Sequence, residues 1–341
     1  MEKLLIIRFS AFGDVAMTVP VIDSLARQYP SLSISVLTQK QCAGFFDWLP
    51  ANVEVMGVNL KDYKGLAGLN RLYKELAQKG YDAVADLHDV LRTKFLKIRF
   101  RLSGTKVSVI DKGRKEKRSL IGHGQDQPFL KSTFQRYVEV FNCLGLPVTL
   151  DFQRLFSPIS TDFTSLASLV GPFVENERMV GIAPFAAHEG KVYPLERMHH
   201  VAKMLSGEGV KVFLFGAGEK EKVILDSWQD AGIISVCGKL GGLHDEILLI
   251  SRLKAMISMD SANMHIASLV GVPVVSVWGA THPKAGFLGW GQSPSNVIQK
   301  DLPCRPCSVY GNKPCQYGDF RCLHQIQETE IVEKTISLLG S

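Results

Sequence analysis

Ile257 to Thr281, ISMDSANMHIASLVGVPVVSVWGAT, is the stretch that most restricts what this chain can become. An apolar run closes on Ser258, Asp260 and Ser261. A small-residue segment with helical spacing follows, carrying Asn263 and His265, and a second apolar run leads into Gly279, Ala280 and Thr281. That is a βαβ unit. In an open parallel sheet the ligand lies beyond the carboxyl ends of the strands, where the N–H groups of the next helix receive an anion or an oxygen-rich group. Asp260, Ser261 and His265 stand at that position. A plainer role is open to each: Asp260 or Ser261 as cap of the helix that buries Ile266 and Leu269, His265 as a near-core histidine.

The same alternation runs through the rest of the chain. Strands are expected at residues 4–9, 34–37, 53–58, 83–86 and 107–110, with helices at 65–78, 90–102 and 132–144. Periodicity fades between residues 155 and 176, where Pro158, Pro172 and several Ser and Thr suit an exposed connection. It restarts with a strand at 179–183. A chain of 341 residues exceeds what one hydrophobic core usually organises. The expected class is therefore α/β: two doubly wound domains in series, at 1–165 and 176–325, with a last helix at 326–341 packing back across the junction.

The 46% apolar and 21% charged content excludes disordered and fibrous classes. The start, MEKLLIIRFSAFGD, has no signal-peptide pattern and no run approaches a spanning helix, so a cytoplasmic protein with at most peripheral membrane contact is expected. The net charge of +6 is unevenly spread. Between Arg92 and Arg118 eleven basic residues, among them Arg92, Arg114, Lys115, Lys117 and Arg118, face two acidic ones, a local +9 that leaves −3 for the rest. Such a run suits a polyanionic partner or simply a solvated helix and loop, and with only Phe95 and Phe100 inside it lacks the stacking pattern of a single-strand groove.

The two domain starts differ. The first strand leads into Ser10, Gly13 and Asp14, a turn with one glycine only and so not the three-glycine dinucleotide fingerprint. Asp14, at a strand end beside that glycine, is the best general-base candidate, although it could also cap a helix. His88, at another strand end, could orient an acceptor or be structural. In the second half Lys191 precedes a helix expected to start at Pro194, where a lysine beside free N–H groups can hold phosphate oxygens. Gly216 and Gly218 would let a backbone approach a ligand, and Glu219 or Glu221 could bind a ribose.

RFSAFGDVAMTVP, HEGKVYP and SMDSANMHIASLVGVPVVSVWGATHP together resemble the bacterial heptosyltransferase family of lipopolysaccharide synthesis, over almost the whole chain. The resemblance implies a GT-B fold, two Rossmann-like domains facing a central cleft, with the donor held mostly by the C-terminal half. It implies transfer of a heptose from an ADP-activated sugar to a lipid-linked saccharide, with inversion and without an essential metal. Carried over by motif, Asp14 is the base, Lys191 contacts donor phosphate, and Asp260, Ser261 and His265 touch sugar and phosphates. Thr281 lies in the GATHP loop. Two positions depart from the family pattern: Tyr193 replaces a usual tryptophan and Ala262 a usual glycine. The basic run then reads as an acceptor surface facing core phosphates or anionic headgroups.

Cys304, Cys307, Cys315 and Cys322, spaced C-x2-C-x7-C-x6-C, suit either free thiols in a loop or a structural zinc. A nucleotide-sugar 2-epimerase of similar build and a non-enzymatic polyanion binder are the competing readings.

Overall fold

Runs such as KLLII and MVGIA are apolar without alternation, which suits strands covered on both faces and is what parallel sheets require. The computed structural model describes residues 1–124, 127–156, 163–171, 174 and 177–340. Two compact units emerge: Met1–Lys112 with Ser132–Leu155, and Gly113–Lys131 with Phe156–Ser341.

The first unit contains β1 (Lys3–Ile7), α1 (Phe12–Ala16), α2 (Val19–Gln28), β2 (Ser33–Gln39), β3 (Val53–Val58), α3 (Gly65–Ala77), β4 (Ala83–Asp86), α4 (Leu91–Leu102) and β5 (Lys106–Val109). The strands are all parallel in the order β3-β2-β1-β4-β5. The expected single helix after the first strand is two. The chain breaks at Met17 and Thr18, with the Thr18 hydroxyl donating to the Val15 carbonyl at 2.7 Å, and Pro20 sits in the first turn of α2, where its missing N–H costs nothing.

Between the two parts of this unit the chain contributes α5 (Arg114–Ser119) to the second unit, then returns as α6 (Thr133–Leu144), opened by a Ser132–Gln135 capping box. The segment 113–131 was expected within the first domain. It is instead bound to the second: Gly122 and Gly124 donate to the carbonyls of Pro306 and Arg305, both at 3.1 Å, and Leu130 donates to that of Lys284 at 2.9 Å. Pro158 and Pro172, on which the expected connection rested, lie outside the described residues.

The second unit continues with α7 (Thr164–Val170), β6 (Met179–Ala183), α8 (Leu195–Gly207), β7 (Lys211–Leu214), α9 (Glu219–Ser227), β8 (Ile233–Ser235), α10 (Leu243–Ser251), β9 (Ala255–Met259), α11 (Ala262–Leu269), β10 (Val274–Trp278), β11 (Val297–Gln299), α12 (Arg321–His324) and α13 (Glu328–Leu339). Its parallel sheet has the order β11-β10-β9-β6-β7-β8. The core is built from Val180, Ile182, Ile257 and Val275 of the strands with Val201 and Leu205 of α8. The last helix, α13, packs on α8, β9 and β10 of this same unit.

Candidate active site

Strand order fixes where each unit can hold a ligand. In the first, the chain leaves β1 towards β2 on one side and later fills β4 on the other, so the crevice at the ends of β1 and β4 is a topological switch point. Arg8, just past β1, is buried and donates to the Leu87 carbonyl just past β4 at 2.6 Å; its other nitrogen pairs with Asp14 Oδ2 at 2.5 Å. The Ala11 amide donates to the same oxygen at 3.3 Å, and the Tyr137 hydroxyl of α6 donates to the Asp14 carbonyl at 3.2 Å. Asp14 is thus fixed from three sides with its side chain a third exposed. Ser10 Oγ lies 3.5 Å from His88 Nε2, and Gly13 lies in α1. Burial, reinforced by the Arg8 and Lys112 charges, pushes His88 down to about 3, so at neutral pH it is an uncharged, buried ring.

The second unit has its switch point between β6 and β9. Lys191, on the loop after β6, pairs with Asp260, immediately after β9, at 2.9 Å, and the Thr281 hydroxyl, beyond β10, donates to the same Asp260 Oδ2 at 2.8 Å. All three are largely buried. Three adjacent strand ends therefore converge on one carboxylate oxygen. The loop is stitched in place by the Ala280 amide, which donates to the Gly190 carbonyl at 2.7 Å. The approach is so close that a Cβ on Gly279 would stand 2.4 Å from that carbonyl. Ser261 turns its hydroxyl towards Ser258, 3.2 Å away, and provides no side-chain cap for α11, leaving first-turn N–H groups facing the strand ends. Asn263 donates to Glu246 at 2.9 Å, and His265 is buried one turn into α11.

The family model for glycosyltransferase family 9 (heptosyltransferase) matches residues 69–317, most of the chain. The chain belongs to glycosyltransferase family 9. It is 24% identical to lipopolysaccharide heptosyltransferase 3 of Escherichia coli over 326 residues, covering 86% of this chain and 88% of that one. The glycosyl transferase family 9 structure from Veillonella parvula superposes with a TM-score of 0.74 at 20% identity, covering 99% and 97% of the two chains. E. coli ADP-heptose LPS heptosyltransferase II gives 0.73 at 20% identity, over 99% and 98%. The fold is that of GT-B proteins, with two Rossmann-like units.

Other expected residues of this family 9 chain fall into place around the second switch point or away from it. Gly216, Gly218 and Glu219 follow β7, the strand beside β6, while Glu221 accepts from the Ala217 amide at 2.7 Å and so braces its own loop. Tyr193 is fully buried, and its hydroxyl donates to the Ile326 carbonyl at 3.0 Å. The basic run, continuous in sequence, is divided between units. Arg92 is exposed on α4 of the first; Arg114, Lys115 and Arg118 are exposed on α5 of the second, where Lys117 is buried with its ammonium 4.0 Å from the centre of the Phe287 ring.

Two contributors escaped the sequence reading. Arg305, fully buried, donates to the carbonyls of Trp278, Gly279 and Thr281 at 3.1, 2.5 and 2.8 Å, and also to Lys300 O and Gln299 Oε1. It lies between Cys304 and Cys307, so the cysteine segment is the outer wall of the site: the Cys307 amide donates to the Ala280 carbonyl at 2.9 Å, and Gly311 lies against the Lys191 stem. The four cysteines are free thiols, and no three His, Cys, Asp or Glu side chains among the described residues are grouped as metal ligands. Arg8 is the second. Its signal was an arginine closing an apolar strand, where a buried charge demands a partner.

Proposed function

We propose that this protein is an inverting glycosyltransferase that moves a heptose from an ADP-activated donor to a lipid-linked saccharide of the lipopolysaccharide core, in the cytoplasm, with no metal in the chemical step. The observation that carries the reading is the Lys191–Asp260–Thr281 group at the β6/β9 switch point, beside the first turn of α11. A cation and helix N–H groups at a strand-end crevice suit a nucleoside diphosphate, and Asp260 can accept from sugar hydroxyls. The names of the similar heptosyltransferases supply the sugar and the acceptor.

In this scheme Asp14 takes the proton of an acceptor hydroxyl as that oxygen attacks the anomeric carbon from the side opposite the diphosphate. The bond to the diphosphate breaks, and Lys191 with the α11 N–H groups receives the charge that develops on the leaving oxygen. Arg8 and the Ala11 amide hold the Asp14 carboxylate in one orientation, which such a proton transfer needs. The cysteines have no role in the step.

Calorimetric titration of ADP, UDP, GDP and NAD tests the donor site. ADP should bind selectively, and Lys191→Ala should weaken it by ~10- to 100-fold, the size of a lost charge-assisted hydrogen bond. A preference for UDP or GDP would move the donor, and binding of none would sink the transferase reading in favour of polyanion binding.

A further inference from the structure

We propose that α4 docks the protein on an anionic lipid bilayer, lying in the plane of the surface. The helix has twelve residues, LRTKFLKIRFRL, and buries Thr93, Leu96 and Phe100 against the first unit's core. Directly opposite, Leu91, Ile98 and Leu102 are 85%, 56% and 80% exposed. Their spacings of seven and four residues put them on one stripe of the helix, and half-buried Phe95 borders it. Lys94 and Arg101 run along one side of this stripe, Arg92 and Arg99 along the other, and the helix has no acidic residue.

A solvated helix would place its charges where this one places aliphatic side chains. The arrangement of an apolar stripe between two rows of cations is what an interfacial helix presents to lipid: the stripe enters the headgroup boundary while lysine and arginine stems reach outward to phosphates. Two other occupants fit less well. A second copy would bring five like charges against five, and a nucleic acid would meet aliphatic groups where it needs aromatic platforms. Twelve residues are too few to span a bilayer, and among the described residues no helix is long and apolar enough to cross one.

This inference stands apart from the donor reading, since it requires no nucleotide. It is tested by sedimenting the full-length protein with vesicles of phosphatidylcholine alone and of phosphatidylcholine mixed with phosphatidylglycerol, neither containing any saccharide lipid. The protein should pellet with the anionic vesicles and much less with the neutral ones. The double variant Ile98→Glu, Leu102→Glu should lose at least ~10-fold in partitioning while keeping the wild-type melting temperature and nucleotide affinity. Absence of pelleting, or equal pelleting of variant and wild type, would overturn the proposal. So would tighter binding to heparin than to anionic vesicles with no effect of the double variant, which would make α4 part of a polyanion site.

Discussion

Each unit has a buried arginine at the strand ends where the ligand is expected, Arg8 on one backbone carbonyl and a carboxylate, Arg305 on several carbonyls. Arg8 ties the end of β1 to that of β4 and orients Asp14; Arg305 gathers three carbonyls at the end of β10 and just past it and so fixes the Thr281 backbone that presents its hydroxyl to Asp260. A lysine cannot copy this, because its three donors radiate from one atom. Arg305→Lys should therefore cost about 2–4 kcal/mol in denaturant unfolding, since several buried acceptors lose their donor, and should weaken ADP binding although Lys191 and Asp260 remain. Unchanged stability would show that water replaces the fork. For Asp14 the expected signature is different: Asp14→Ala should reduce turnover by ~100-fold or more with ADP affinity nearly intact, in single-turnover measurements. Near-full turnover would remove it as the base.

At the scale of elements, the site depends on how closely the loop before α8 meets the end of β10. A Cβ at Gly279 would stand 2.4 Å from the Gly190 carbonyl and 2.7 Å from the Leu323 side chain, and backbone cannot give way as a flexible side chain would. Gly279→Ala should destabilise the second unit by roughly 1–3 kcal/mol and shift Lys191 enough to lose most ADP binding, read together by calorimetry and thermal unfolding. A variant with wild-type stability and affinity would contradict the close approach. The strands and most helices were legible in the sequence because buried parallel strands are unbroken apolar runs and the helices carry their period. What escaped were features that depend on neighbours distant in sequence. α5 reads as a charged loop, KGRKEKRS, until the surface it lies on is known. The pairing of Lys191 with Asp260 required β6 to lie beside β9, which no local pattern encodes. Arg305 was hidden among cysteines whose spacing suggested a different role.

At the scale of the whole molecule, the buried rings of His88 and His282 link stability to pH with one sign. Burial is the main cause in both: His88 is pushed down to about 3 and His282 to about 4, with Arg8 adding to the first and Arg305 to the second. The unfolded chain protonates both rings near pH 6.5, whereas the folded chain refuses the proton until far lower pH. Their contribution is thus complete above pH 6.5 and declines as pH falls towards 4 and 3. Allowing for solvent screening, each should account for roughly 1 kcal/mol lost by pH 5. Melting temperatures at pH 7.5 and 5 should fall accordingly, and His88→Gln should flatten its share of the slope; a profile flat over this interval would contradict both depressed values.

The segment 113–131 has a consequence for how the protein is made. It emerges from the ribosome early, between two pieces of the first unit, yet Gly124 must bond to Arg305, whose synthesis follows some 180 residues later. At ordinary elongation rates that interval lasts on the order of 10–40 s, during which this basic segment lacks the carbonyl partners that it bonds in the second unit. Whenever the first unit recruits α6, it does so with this segment looped out of it, so the chain entropy of that loop is part of what its closure costs.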